Sequence, residues 1–228
     1  MRKYAVIGLG RFGTTLARRL SDQEAEVIAI DKSEPHVSAV RDHVAVALRM
    51  DATDEKGLRA QGVGSVDVAI VGMGESFEAT QLATVVLKRL GVKKVIVKAV
   101  DPLHEQILLR IGADEVISPE IESAARLSQK LLAPRIIDYL DFADGHSLVQ
   151  IGAPNKFHGK SIRELDVRKA FGVNIVAIKK RVAAGTDEAG EPVYEEKIVD
   201  IPRPEDVIEP TDVLVLIGDD AALGRLAG

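Results

Sequence analysis

Cysteine and tryptophan are both absent from this chain of 228 residues. Without cysteine there is no disulfide framework, no thiolate nucleophile and no cysteine-ligated metal. Aromatic residues make up only 4%, so any core is aliphatic, and the 46% apolar content is enough to build one. A net charge of −5 gives no basic surface for nucleic acid, and the short runs Lys93-Lys94 and Lys179-Lys180-Arg181 read as solvated. No apolar stretch reaches the roughly 18 residues of a membrane-spanning helix. The chain enters its first apolar run within three residues, which leaves no room for a secretory leader. The expectation is a soluble, cytoplasmic protein whose membrane role comes only through a partner. Also missing are a G-x-S-x-G elbow, an H-E-x-x-H zinc motif and a P-loop.

What is present begins at residue 4. The apolar run Tyr4-Ala5-Val6-Ile7 leads into Gly8-Leu9-Gly10-Arg11-Phe12-Gly13, then into a helical stretch over 14–20. A second apolar run, 26–30, ends in Asp31. Strand, G-x-G-x-x-G loop, helix and a following acid together make the dinucleotide fingerprint. Gly8 serves the tight turn, Gly10 lets backbone approach phosphate, and Gly13 lets the helix pack on the strand. The helix N-terminus offers free N–H groups and partial positive charge to phosphate, and Asp31 is placed to accept from ribose hydroxyls. The reading is an adenine-nucleotide site. Arg11, at the fourth position of the loop, either leans over terminal phosphates or is a solvated helix-start residue.

Strand and helix patterns then alternate: a helix over 35–42, a strand over 44–48, a helix over 54–61 and a strand over 66–71. A longer helix over 76–90 stops at Gly91, followed by a strand over 95–97, a helix over 102–111 and a strand over 115–117. Continuous apolar strands separated by helices predict a parallel sheet covered on both faces. Residues 1–118 thus read as a six-stranded Rossmann domain, α/β in class. A helix over 120–132, broken at Pro134 and resumed over 136–142, is expected to form a kinked crossover and dimerisation segment (119–143). With no sheet face left to cover, its apolar side packs on a second subunit or on its own domain. Residues 144–228 read as a small α+β domain. Its parts are strands at 148–151, 173–180, 193–201 and 213–217, a helix over 161–170 capped by Ser161, and an exposed hairpin tip over 183–191.

That second domain offers only His146 and His158 as catalytic candidates, neither in a recognisable arrangement. A nucleotide site with no catalytic half points to sensing rather than turnover.

At this point the segments resemble a known family. Ala5-Val6-Ile7-Gly8-Leu9-Gly10-Arg11-Phe12-Gly13, Asp51-Ala52-Thr53-Asp54, Val97-Lys98-Ala99 and the run 111–120 are similar to the RCK family, cytosolic regulatory subunits of Ktr/Trk-type potassium uptake systems. Leu165-Asp166-Val167-Arg168, the run 174–179 and Pro204-Glu205-Asp206-Val207-Ile208 resemble its C-terminal subdomain. The longer segment 183–201 departs from the family pattern. The resemblance implies ATP and ADP, or NAD(H), held by Gly8, Gly10, Arg11, Phe12, Gly13, Asp31, Lys32, Asp51, Ala52, Thr53 and Lys98. It implies that Arg11 touches the γ-phosphate and that Glu120 helps bind Ca²⁺ or Mg²⁺ between subunits, where the bland alternative is an ordinary helix-start acid. Cyclic di-AMP is implied at Arg168, Asn174, Ile175 and Pro202, with Ile175 as a core residue and Arg168 as a solvated one being the alternative. The implied assembly is a homodimer building a gating ring, an octamer, beneath a membrane potassium-translocating subunit at the inner face of the cell membrane. A small NAD-dependent oxidoreductase is the competing reading, since fold does not fix function.

Overall fold

The computed structural model describes every residue except Met1, Glu75, Ala133, Pro134, Asp144, 187–191 and Gly228. Among the described residues the chain divides into two compact units, Met1–Ile121 and Glu122–Gly228.

In the first unit, β1 (Lys3–Ile7), β2 (Glu26–Asp31), β3 (Val46–Arg49), β4 (Val68–Val71), β5 (Lys94–Lys98) and β6 (Glu115–Ile117) form one sheet. The order is β3-β2-β1-β4-β5-β6 and every pairing is parallel. This is the doubly wound order, in which the winding reverses between β1 and β4 and a crevice opens at the carboxyl ends of those strands. The strands are apolar residue after residue because helices cover both faces. One face carries α1 (Arg11–Asp22) and α2 (Glu34–Val40), whose Ala17, Val37 and Val40 pack with Val6, Val27 and Ala29. The other carries α3 (Glu55–Ala60), α4 (Phe77–Arg89) and α5 (Pro102–Arg110), whose Leu58, Leu87 and Leu108 pack with Ala5, Ile7, Ile30 and Val71.

The helix ends follow local chemistry. Asp54, Ser76 and Asp101 each accept a hydrogen bond from a first-turn amide of the helix they precede, satisfying groups that would otherwise be orphaned. Gly91, at φ +84°, ends α4 in the left-handed conformation that glycine adopts without strain.

The helix α6 (Pro119–Leu132) follows β6. It leaves Ile121, Leu127, Leu131 and Leu132 between 47% and 81% exposed, an apolar face that no described residue buries.

The expected resumption of that helix over 136–142 is wrong. Those residues lie in β7 (Ile136–Ala143), which pairs antiparallel with β8 (His146–Gly152). Ile136, Ile137 and Leu140 fit a helical spacing, but isoleucine, tyrosine and phenylalanine are strand formers. The pairing partner β8 decides between the two. Register shifts at Ile136/Asp138 and Asp141/Ala143 also hide the two-residue alternation that would have marked the strand. Pro134, the expected kink, lies outside the described residues.

The second unit is a five-stranded sheet of order β10-β9-β11-β8-β7, with β9 (Val173–Thr186), β10 (Pro192–Val199) and β11 (Val213–Asp219). All its pairings are antiparallel. The expected helix over 161–170 is two short ones, α7 (Ile162–Leu165) and α8 (Val167–Phe171), split at Asp166 with φ +38°. Ser161 caps α7 in a reciprocal capping box with Glu164, as its position before that helix predicts. Together with α9 (Asp220–Ala227) these helices close a core of Val149, Ile151, Phe157, Ile178, Leu214, Leu216 and Leu223. Residues 183–186, expected at a hairpin tip, continue β9, and 187–191 fall outside the described residues.

Candidate functional site

The site is built where β1 runs out. Gly8 turns the chain at φ +86°, and its amide donates to the Ile30 carbonyl at 2.8 Å. A Cβ at Gly8 would lie 2.7 Å from Met73 Cγ, and one at Gly13 would lie 1.9 Å from the Gly8 carbonyl oxygen. Neither position has room for a side chain. Gly10 differs: no atom lies within 4 Å of where its Cβ would stand. Its missing side chain leaves open space at the N-terminus of α1, where Gly10 is the N-cap and supplies no side-chain acceptor. The first-turn amides therefore face that space with their partial positive charge.

Asp31, at the end of β2, ties the loop to the sheet. One carboxylate oxygen accepts from the Leu9 amide at 2.6 Å and the other from the Ser33 amide at 2.8 Å, and the side chain is 14% exposed. Oδ1, with the Ser33 amide as its partner, has a second lone pair to offer. His36 Nδ1 stands 3.3 Å from Asp31 Oδ2, a neighbour that nothing in the sequence marked. Lys32 pairs with Asp51 at 3.0 Å. Asp51 also accepts from the Thr53 amide at 2.9 Å and the Thr53 hydroxyl at 2.8 Å. These two bonds, then Lys32, hold the Asp51 carboxyl below its ordinary range.

Gly8, Asp31, Lys32 and Ala52 line one open cleft of about 110 Å³ with Ile7, Ile30, Met50 and Met73. Met73 was missed by reading the sequence, although Gly72-Met73-Gly74 directly after β4 is a second glycine-flanked turn at the winding reversal. An apolar wall, a carboxylate and a row of helix-start amides suit a nucleoside with its phosphates. The open space at Gly10 fits that ligand.

Residues 4–119 match the TrkA-N domain and residues 147–227 the TrkA-C domain. The sequence is 35% identical over 224 residues to Ktr system potassium uptake protein C of Bacillus subtilis (strain 168), covering 98% of this chain and 95% of that protein. It is 34% identical, with the same coverage, to Ktr system potassium uptake protein A of that organism. The chain belongs to the RCK family of Ktr/Trk potassium-uptake regulatory subunits. At 18% identity and a TM-score of 0.62 the GsuK RCK domain has the same fold, the match covering all of this chain and 47% of that one.

The remaining residues of this RCK protein fall into two other places. Phe12 of the glycine loop and Lys98 meet each other, with the Lys98 ammonium 6.0 Å from the centre of the Phe12 ring. Lys98 is paired with Glu120 in the first turn of α6, and its hydrogen bond holds the Glu120 carboxyl below the usual range. Arg11 is exposed. For a metal, Glu120 offers one carboxylate, and Mg²⁺ held by so few protein oxygens completes its octahedron with water and phosphate. Among the described residues no three His, Asp or Glu side chains gather to hold an ion.

In the second unit Arg168 Nε donates to Asn174 Oδ1 at 2.7 Å, and both are exposed. Ile175 packs partly buried against the core. Pro202 is half-buried beyond β10. Of the two histidines, His158 lies 3.0 Å from the Ala153 carbonyl through Nε2 and His146 is exposed.

Proposed function

We propose that this protein is the nucleotide-controlled gating subunit of a potassium uptake channel, with ATP and ADP competing for the cleft beside Asp31. The observation that carries the proposal is the open space at Gly10, framed by the α1 amides and by an Asp31 already fixed to the loop. Asp31 accepts from the ribose, the first-turn amides of α1 hold the inner phosphates, and Arg11 reaches the γ-phosphate. Lys32, Asp51, Ala52 and Thr53 form the wall around the base and sugar. Gating follows only where the two nucleotides differ in affinity for two shapes of the assembly, because equal affinity shifts nothing. The exposed apolar face of α6 joins two copies, and dimers build an octameric ring at the inner face of the membrane under the potassium-translocating partner. In such a dimer Glu120 of each copy supplies half of a divalent-cation site. Arg168 and Asn174, already hydrogen-bonded to each other, with Ile175 and Pro202, offer a phosphate partner and apolar faces for cyclic di-AMP.

Calorimetry on the whole protein tests the reading. Asp31→Ala should weaken ATP and ADP alike, and Arg11→Ala should cost ATP more than ADP. Equal losses at Arg11 remove its γ-phosphate role. Asp31 serves the ribose of NAD(H) equally well, so NAD outcompeting ATP would make NAD(H) the controlling ligand. Wild-type protein that binds no cyclic di-AMP at tens of micromolar ligand would confine regulation to the N-terminal cleft.

A further inference from the structure

Lys98 ends β5 with its side chain only 12% exposed, while its partner Glu120 is 67% exposed. The ammonium lies over Phe12 of the glycine loop and lines a small cavity with Met73, Phe77 and His104. Met73 is also a wall of the nucleotide cleft. One lysine therefore links the glycine loop, through Phe12, to the first turn of α6.

The two partners are unequal. A largely buried ammonium is costly to leave without an anion, whereas an exposed carboxylate returns to water at little cost. An incoming phosphate can therefore replace Glu120 at Lys98 without stranding either group. We propose that Lys98 is a shared cation, held by Glu120 when no phosphate is near and drawn to the terminal phosphates when a nucleotide occupies the cleft. The exchange frees the Glu120 carboxylate at the start of α6. Phosphate load is thereby converted into a change of charge at the root of the helix that carries the uncovered apolar face. This rests on the nucleotide reading of the cleft and names how that site is regulated.

The test is calorimetry on the full chain without divalent cations, using adenosine, AMP, ADP and ATP. Lys98→Met should lower ATP affinity about tenfold, the scale of one charge-assisted hydrogen bond, and leave adenosine unchanged. Glu120→Gln, a nearly isosteric change at an exposed position, should raise ATP affinity roughly two- to fivefold, the scale of one exposed ion pair. In the double variant the Glu120 effect should vanish, leaving the affinity of Lys98→Met alone. If Glu120→Gln raises ATP affinity equally in the Lys98→Met background, Glu120 acts by direct repulsion and the shared cation is overturned. No gain in Glu120→Gln overturns it as well. Wild-type protein that binds none of the four compounds removes the nucleotide reading itself, a different failure from normal binding with the wrong mutant pattern.

Discussion

In the N-terminal sheet β1 buries Ala5, Val6 and Ile7 completely, whereas in the C-terminal sheet β8 buries Ser147, Val149 and Ile151 and leaves the residues between them half-exposed. The difference comes from what covers each strand. A parallel strand with helices on both faces has no solvent side, so every residue must be apolar. An antiparallel strand with one open face needs an apolar residue only at alternate positions. The first pattern is hard to mistake for anything else, and the second is legible only while the alternation is unbroken, which the register shifts of β7 interrupt. That is why all six strands of the first sheet were expected where they occur, while β7 was read as a helix.

The candidate sites differ in the same way. Gly8, Gly10, Gly13 and Asp31 are placed by one strand, one turn and the next strand, so their spacing is itself the site. Arg168, Asn174, Ile175 and Pro202 lie on a short helix, a long strand and a segment past the edge strand, and the chain's spacing alone does not bring them together.

The comparison can be broken by cutting one core and watching the other. Leu214→Ala removes a side chain that is fully buried in the C-terminal core and should cost roughly 2–5 kcal/mol, the range for large-to-small core changes. Hydrogen exchange should show the loss in β8, β9 and β11, with β1 and β2 still protected and ATP still bound. Equal loss of protection in both units would mean that the two cores unfold as one.

Gly13→Ala acts on the other side. Its methyl would meet the Gly8 carbonyl oxygen, and overpacking of this kind costs about 1–3 kcal/mol. A urea titration should show it, with nucleotide binding lost. Gly10→Ala has room for its methyl and should leave the urea midpoint alone while weakening ATP. If both substitutions leave ATP binding intact, backbone approach at the loop is not how phosphate is held.

A smaller effect is expected at the one helix start of the C-terminal unit that was legible in advance. Ser161→Ala removes the capping box of α7 and should cost about 1 kcal/mol, measured by the same titration.

The smallest effect concerns acid. Lys88 and the Val95 amide hydrogen-bond Asp114, and the Lys88 bond first of all holds its carboxyl below the ordinary value. Asp51, Asp67 and Glu120 are lowered as well, Asp67 chiefly by Lys93. A carboxylate whose folded pKa is depressed adds stability above its unfolded pKa and loses it as pH falls through the folded value. The contribution is therefore complete at neutral pH and fades below about pH 4. In the second unit only Glu164 is lowered among the described residues. Acid should thus take protection from the N-terminal unit first, and Asp114→Asn should flatten that response. Simultaneous loss in both units would show that these pairs do not decide the order.

The sequence by itself determined the order of elements in the first unit, the glycine turn and the acid that supports it, because each follows from periodicity and from conformations open only to glycine. Ser161 likewise announced its helix, since a cap acts over three residues. Only the tertiary structure decided that 136–143 is a strand, because its partner β8 supplies the hydrogen bonds that settle the choice. It alone set His36 against Asp31, Met73 in the cleft wall and Lys98 on Glu120. Those contacts join residues that the sheet order brings together, and a pairing between an ammonium and a carboxylate 22 positions apart leaves no periodic trace along the chain.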